Sequence, residues 1–107
     1  MTTFDKREEG FESQFAHEEE VRFKAEARRN GLLGRWAAEK LGLTGTAADD
    51  YARDVIDSAV AAAGSAAVLR KVTADLAAKG VAVPEQAIKD KMAELLKLAM
   101  AQVRAGQ

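Results

Sequence analysis

Cysteine is absent from the chain, and proline occurs once, at Pro84. Without thiols there is no disulfide framework, no thiol nucleophile and no cysteine-based zinc site. One proline and eight glycines in 107 residues leave few interruptions, and the abundance of Ala, Leu, Lys and Glu favours helices throughout. No apolar run approaches the ~20 residues that a bilayer span requires. The opening MTTFDKREEG mixes both charge signs and has no apolar core, which argues against a secretory signal. An excess of one charge sign is missing too. The formal net charge is −1, with eight acids and six bases in residues 1–30, one and two in 31–45, and eight and eight in 46–107. Nucleic-acid binding generally draws on a basic surplus, so that function class is disfavoured and a cytosolic protein is expected.

Aromatic residues are scarce, at 6% of the chain, and unevenly placed. All four phenylalanines, Phe4, Phe11, Phe15 and Phe23, lie in the first 23 residues, and only Trp36 and Tyr51 follow. In helical projection Phe4, Phe11 and Phe15 fall within roughly 40° of one another. They form a narrow aromatic stripe on a polar segment that Gly10 weakens as a helix by about 1 kcal/mol. An isolated helix of this length is marginal in water, so residues 1–17 are expected to be frayed alone and helical when bound to another protein. The alternative is that the stripe covers the rest of the molecule as an extra helix.

The hydrophobic share of 48% permits a core in the remainder. From Glu18 the helix signal strengthens through the i,i+4 pairs Glu18–Arg22 and Glu20–Lys24 and runs to a stop at Gly42. Gly31 and Gly34 within it either admit another helix at close range or mark a bend. A second helix is predicted from Thr46, with Asp49 completing a weak capping box, and Tyr51, Val55, Ile56, Ala59, Val60 and Ala63 forming its apolar face. A third is predicted from a Ser65 cap to Gly80 with Val68, Leu69, Val72 and Leu76 inward. Pro84 opens the first turn of a fourth, with Ile88, Met92, Leu95, Leu96, Ala99 and Val103 on its inner face. Four helices with short loops predict an all-α antiparallel four-helix bundle. Trp36, Tyr51, Leu69 and Leu95, each on the apolar face of its helix, are expected to be substantially buried.

Catalytic and metal chemistry find little support. The only histidine begins the string His17-Glu18-Glu19-Glu20-Val21, where Val21 stands at the second ligand position of an H-E-x-x-H zinc motif. Gln14 stands where a Glu-x-x-His di-iron motif needs its glutamate. Glu8 and Glu12 have the look of a solvated helix face, and there is no Gly-rich phosphate loop or serine nucleophile with a helper histidine. No catalytic residue, metal site or cofactor is expected. The basic cluster Arg22, Lys24, Arg28, Arg29 and Arg35 is spread around the helix among glutamates, as on a solvated face.

The segments MTTFDKREEGFESQFAHEEE and FKAEARRNGLLGRWAAEKLG closely resemble the zeta subunit of alphaproteobacterial F-type ATP synthases, an ATPase inhibitor family. The most specific pieces are Thr3-Phe4-Asp5 with Arg7, Lys24-Ala25-Glu26-Ala27-Arg28-Arg29-Asn30, and Leu33-Gly34 followed by Trp36-Ala37-Ala38. The Ala-rich second half matches by pattern more than by word. The resemblance implies a four-helix bundle over residues 18–107 and a mobile inhibitory segment over residues 1–17. It implies that this segment becomes helical as it enters a catalytic alpha/beta interface and reaches the gamma rotor, stopping rotation in the hydrolysing direction. Carried onto this chain, the inhibitory contacts are Phe4, Asp5, Arg7, Glu8, Phe11 and Phe15. The partners are then the alpha, beta and gamma subunits, and the protein, monomeric when free, would be cytoplasmic and held peripherally at the inner membrane through the synthase. Two other readings of the residues remain open: a nucleotide-binding module using Lys24, Arg28 or Arg29, and an adaptor that binds its partner through the bundle.

Overall fold

Four helices account for the chain in a computed structural model, which describes the backbone of residues 3–62 and 64–107 and the side chains of residues 16–61 and 64–107. Helix α1 spans Thr3–Lys40, α2 Gly45–Ala62, α3 Ser65–Ala78 and α4 Glu85–Arg104. Neighbours in sequence pack side by side, and α4 closes the ring onto α1, which also touches α3 across the middle. The all-α four-helix bundle expected from sequence is thus the observed architecture. At ~1.5 Å per residue the 38 residues of α1 reach about 57 Å, which sets the long dimension of a molecule measuring 64 × 25 × 23 Å.

The backbone of α1 continues through Gly10 and across His17 without a break. Among the described side chains, the first cross-helix hydrogen bond of α1 is at Glu18, whose carboxylate accepts from Arg104 Nη2 at 3.0 Å, and the first buried residue is Val21. From there a row of every fourth residue, Val21, Ala25, Arg29, Leu33 and Ala37, is buried. This row faces α2, α3 and α4, and most of its members are small.

Helix ends follow glycine. At Gly42 the φ angle is 77°, and Leu43 N–H donates to Ala38 O while Gly42 N–H donates to Glu39 O. That pair of bonds is a Schellman stop, in which a residue with positive φ lets the chain double back over the last turn. Gly80 ends α3 in the same way, with Val81 N–H on Leu76 O. Two expected N-terminal caps are not formed. α2 begins at Gly45 rather than Thr46, and the Asp49 carboxylate pairs with Arg35 at 2.9 Å. Gly64, not Ser65, caps α3, because the Ser65 hydroxyl accepts a hydrogen bond from Arg29. Pro84 precedes α4 as its N-cap, one residue earlier than a first-turn position.

The centre is built from Leu33, Val55, Val68, Val72, Leu76 and Ile88, all fully buried, with Met92 and Ala37 beside them. Trp36, Tyr51, Leu69 and Leu95 are only partly buried and pack against that cluster from outside. They were expected to be substantially buried; the fully buried centre is made of other aliphatic side chains, and these four cover it. At the α1–α2 crossing a Cβ built on Gly34 would lie 2.6 Å from Ala52 Cα, so the two backbones meet at close range. Trp36 lies at the edge, with Lys40 Nζ 5.1 Å and Lys91 Nζ 6.0 Å from its ring centroid. Of the two readings of Gly31 and Gly34, close approach is the correct one.

Two consequences are measurable by urea or thermal unfolding. Gly34→Ala is expected to destabilise by about 1–3 kcal/mol, because overpacking against Ala52 backbone outweighs the gain of up to about 1 kcal/mol in helix propensity. Gly31→Ala faces only the flexible end of Ile56, at 3.3 Å, and is expected to be neutral or stabilising. Equal effects at the two positions would contradict the close crossing. Leu76→Ala, which opens a cavity among fully buried neighbours, is expected to cost about 2–5 kcal/mol. A cost under about 0.5 kcal/mol would mean that Leu76 is not a core residue.

Candidate functional site

The residues that the sequence nominates divide into two sets. The side chains of Phe4, Asp5, Arg7, Glu8, Phe11 and Phe15 lie outside the described residues, and of them the structure gives only the helical backbone of α1. Lys24, Arg28, Arg29 and His17 are described. His17 is exposed on α1, and no group of three or more His, Asp or Glu side chains suited to a metal occurs among the described residues.

The three basic residues of the nucleotide reading do not converge. Lys24 is held by Glu20 at 2.8 Å, and this hydrogen bond keeps the Glu20 carboxyl below its usual range. Arg28 donates to Gln102 Oε1 at 3.3 Å and to the Gln107 carbonyl, so it ties α1 to the end of α4. Lys24 and Arg28 share a shallow recess with Val103, Gly106 and Gln107. Arg29 faces a different recess, on the α2 side.

That second recess was not anticipated from sequence. It lies between α1 and α2, closed at one end by the start of α3, and is lined by Phe23, Glu26, Ala27, Arg29, Ile56 and Val60 among others, with a volume of ≈ 370 Å³. Phe23 is 75% exposed and Val60 82% exposed, the two most exposed large apolar side chains described. Val60 was expected on the inner face of α2. In projection it lies about 110° from the midpoint of Ala52 and Val55, outside the arc that α1 and α3 cover.

Arg29 sits at the base of this groove and is only 5% exposed. Its Nε donates to Asn30 Oδ1 at 2.8 Å and its Nη2 to Ser65 Oγ at 2.9 Å. No carboxylate among the described residues lies within ion-pair distance of it. Burial lowers its pKa and the nearby Glu26 charge opposes that shift, yet a guanidinium remains protonated at any ordinary pH. The result is a buried cation satisfied by neutral acceptors. A sequence signal for it exists in the row of every fourth residue, Val21, Ala25, Arg29, Leu33 and Ala37, in which one of the five members is charged.

The other perturbed group is a structural clasp. Tyr51 donates its hydroxyl proton to Asp75 Oδ2 at 2.8 Å, joining α2 to α3, while Lys71 pairs with the same carboxylate oxygen at 3.1 Å and lies 5.3 Å from the Tyr51 ring centroid. Burial pushes the phenol above its usual range, with the Asp75 hydrogen bond and the Asp75 and Asp54 charges adding to it. Tyr51 is therefore neutral at physiological pH. Because the folded state holds this proton more tightly than the unfolded state, the clasp is fully stabilising below pH ~10 and is lost as pH rises beyond that. Tyr51 is the chain's one tyrosine, so phenolate absorbance reports it alone. That absorbance is expected to appear well above pH ~10 and together with loss of helical circular dichroism. A midpoint at or below ~10 with the fold intact would remove the clasp.

Comparison with known proteins gives this geometry its context. A solved protein structure, determined in solution by NMR, matches with 41% sequence identity and a TM-score of 0.69, covering 81% of this chain and 99% of its own. No curated protein matches in sequence. The family described as ATPase inhibitor subunit zeta matches residues 1–102, helices α1 to α4 included. The chain belongs to the ATPase inhibitor subunit zeta family.

Proposed function

We propose that this inhibitor acts on the F-type ATP synthase by inserting residues 1–17 at a catalytic alpha/beta interface, where they reach the gamma rotor and block rotation in the hydrolysing direction. Membership of an inhibitor-subunit family supports a regulatory, non-catalytic role. The observation that carries the finer reading is the way α1 is used: Thr3 to His17 continue the helix beyond Glu18, the site of its first described cross-helix hydrogen bond. Fifteen residues at ~1.5 Å each give a probe of about 22 Å. It bears Phe4, Phe11 and Phe15 within one arc and Asp5, Arg7 and Glu8 as charged flanks. An aromatic arc of that kind gains most where a partner removes it from water. No helix among the described residues is long and apolar enough to cross a membrane. A cytoplasmic protein held at the inner membrane only through the synthase accords with that.

Binding of such a segment couples the cost of ordering it to the gain of burying aromatics. The bundle serves as the anchor that carries the segment to the enzyme. The two parts are expected to separate energetically. Deleting residues 1–17 should abolish inhibition of ATP hydrolysis by the isolated catalytic sector while leaving the thermal midpoint within a few degrees. Phe11→Ala and Phe15→Ala should each weaken binding by about 1–3 kcal/mol with the bundle's stability unchanged. Gly10→Ala should strengthen inhibition, by up to about 1 kcal/mol of helix propensity. Collapse of the bundle on deletion would assign the stripe to the core. Full inhibition by the deleted protein would remove the segment from the mechanism.

A further inference from the structure

The groove between α1 and α2 takes no part in the proposed insertion of residues 1–17. We infer that it is a second docking surface, which takes a helical segment of the ATP synthase catalytic sector bearing an apolar side chain next to a carboxylate. This inference rests on the inhibitor reading above and adds a contact made by the bundle itself.

Two independent observations specify the partner's chemistry. The first is apolar. Phe23 and Val60 stand on the two rims, 75% and 82% exposed, with Ile56 and Ala59 between them on the groove wall. A Phe and a Val left in water on facing helices are the kind of anchors that a partner side chain covers. The second is electrostatic. Arg29 is a cation at 5% exposure with no carboxylate of its own, and desolvating a charge without an ionic partner is unfavourable. Its Nη1 makes no hydrogen bond to another described residue and keeps contact with solvent, since Thr73 Oγ1 is the one buried side-chain polar atom without a partner among the described residues. The one acid that lines the groove, Glu26, is engaged by Arg22 Nε at 3.3 Å. An incoming carboxylate would replace solvent at Nη1 with a charge-assisted hydrogen bond and would supply the ionic partner that Arg29 lacks.

The shape favours a peptide over a small molecule. Ligand pockets enclose most of their ligand, whereas this groove is open along one side and its apolar side chains rise from the rims. An amphipathic helix laid in such a groove uses two or three side chains at helical spacing. The occupant proposed here needs one apolar and one acidic position on the same face.

The experiment measures the affinity of the full-length protein and its variants for the isolated catalytic sector of the cognate synthase, together with residual hydrolysis at saturation. Phe23→Ser and Val60→Glu are expected to raise Kd about tenfold or more. Val60→Lys, which places a cation where the partner's carboxylate approaches, should change Kd by no more than about threefold. Arg29→Met keeps the volume apolar and should fold, and it should weaken binding about as much as Phe23→Ser. Inhibition at saturation should stay complete in every variant, since the inserted segment is untouched. Unchanged affinity in all variants of a parent that still inhibits would overturn the groove and leave the inhibitor reading standing. Equal loss by Val60→Lys and Val60→Glu would overturn the acidic partner. Self-association of the parent that Phe23→Ser abolishes in sedimentation, without an effect on synthase binding, would give the groove to a second copy instead. A parent that neither binds nor inhibits the catalytic sector would overturn both proposals.

Discussion

The crossing of α1 and α2 at Gly34 and Ala52 is the constraint from which the rest of the packing follows. With no side chain on Gly34, the two backbones approach until an added Cβ would be 2.6 Å from Ala52 Cα. So close an approach excludes large side chains from the α1–α2 seam and fills it with Ala52, Val55 and Ala38. The bulky residues Trp36 and Tyr51 lie outside this seam, partly buried against the core, with cationic side chains of α1 and α4 over the indole and of α3 over the phenol. Dispersion between closely fitted small groups replaces the aromatic core that a wider bundle would need.

α1 is the longest helix, and the proposed function uses it in two stretches. From Glu18 onward it is the central element of the bundle, in contact with each of the other three helices. Before Glu18 it is the same helix, continued outward. No glycine- or proline-rich linker intervenes, so on a continuous helix the azimuth of the aromatic stripe is fixed relative to the buried row by the count of residues between them. In projection the stripe lies roughly 80° from Val21 and Ala25. The stripe and the buried row are thereby held in register.

Charge contributes little to the hold of the bundle. The ion pairs Arg22–Glu26, Lys24–Glu20 and Lys89–Glu85 are i,i+4 pairs on exposed helix faces, a type worth a few tenths of a kcal/mol. Those that join different helices, Arg104–Glu18, Arg35–Asp49 and the Tyr51–Asp75–Lys71 clasp, sit around the apolar centre and fix how the helices are rotated. Arg29 is the exception: its charge was taken inside without an ionic partner, at the base of a groove whose rims are apolar.

Helix number, the stops at Gly42 and Gly80, the apolar faces of α3 and α4 and the aromatic stripe are properties of sequence alone. They depend on local backbone preference and on periodicity, which neighbouring residues determine. The family, too, was legible, because its distinctive words lie in residues 1–45. The identity of the core was not. Periodicity assigns a residue to an arc, but whether Trp36 is central or marginal depends on where α4 lies against α1, and its ring ends beside Lys91 at the edge of the core. Val60 occupies the apolar face of its own helix and is exposed because neither α1 nor α3 extends over that part of the arc. Arg29 looked like one cation among several on a solvated face and became a buried one because the row of every fourth residue it belongs to faces inward. Each of these outcomes turns on where the neighbouring helices lie, which no single helix's sequence contains.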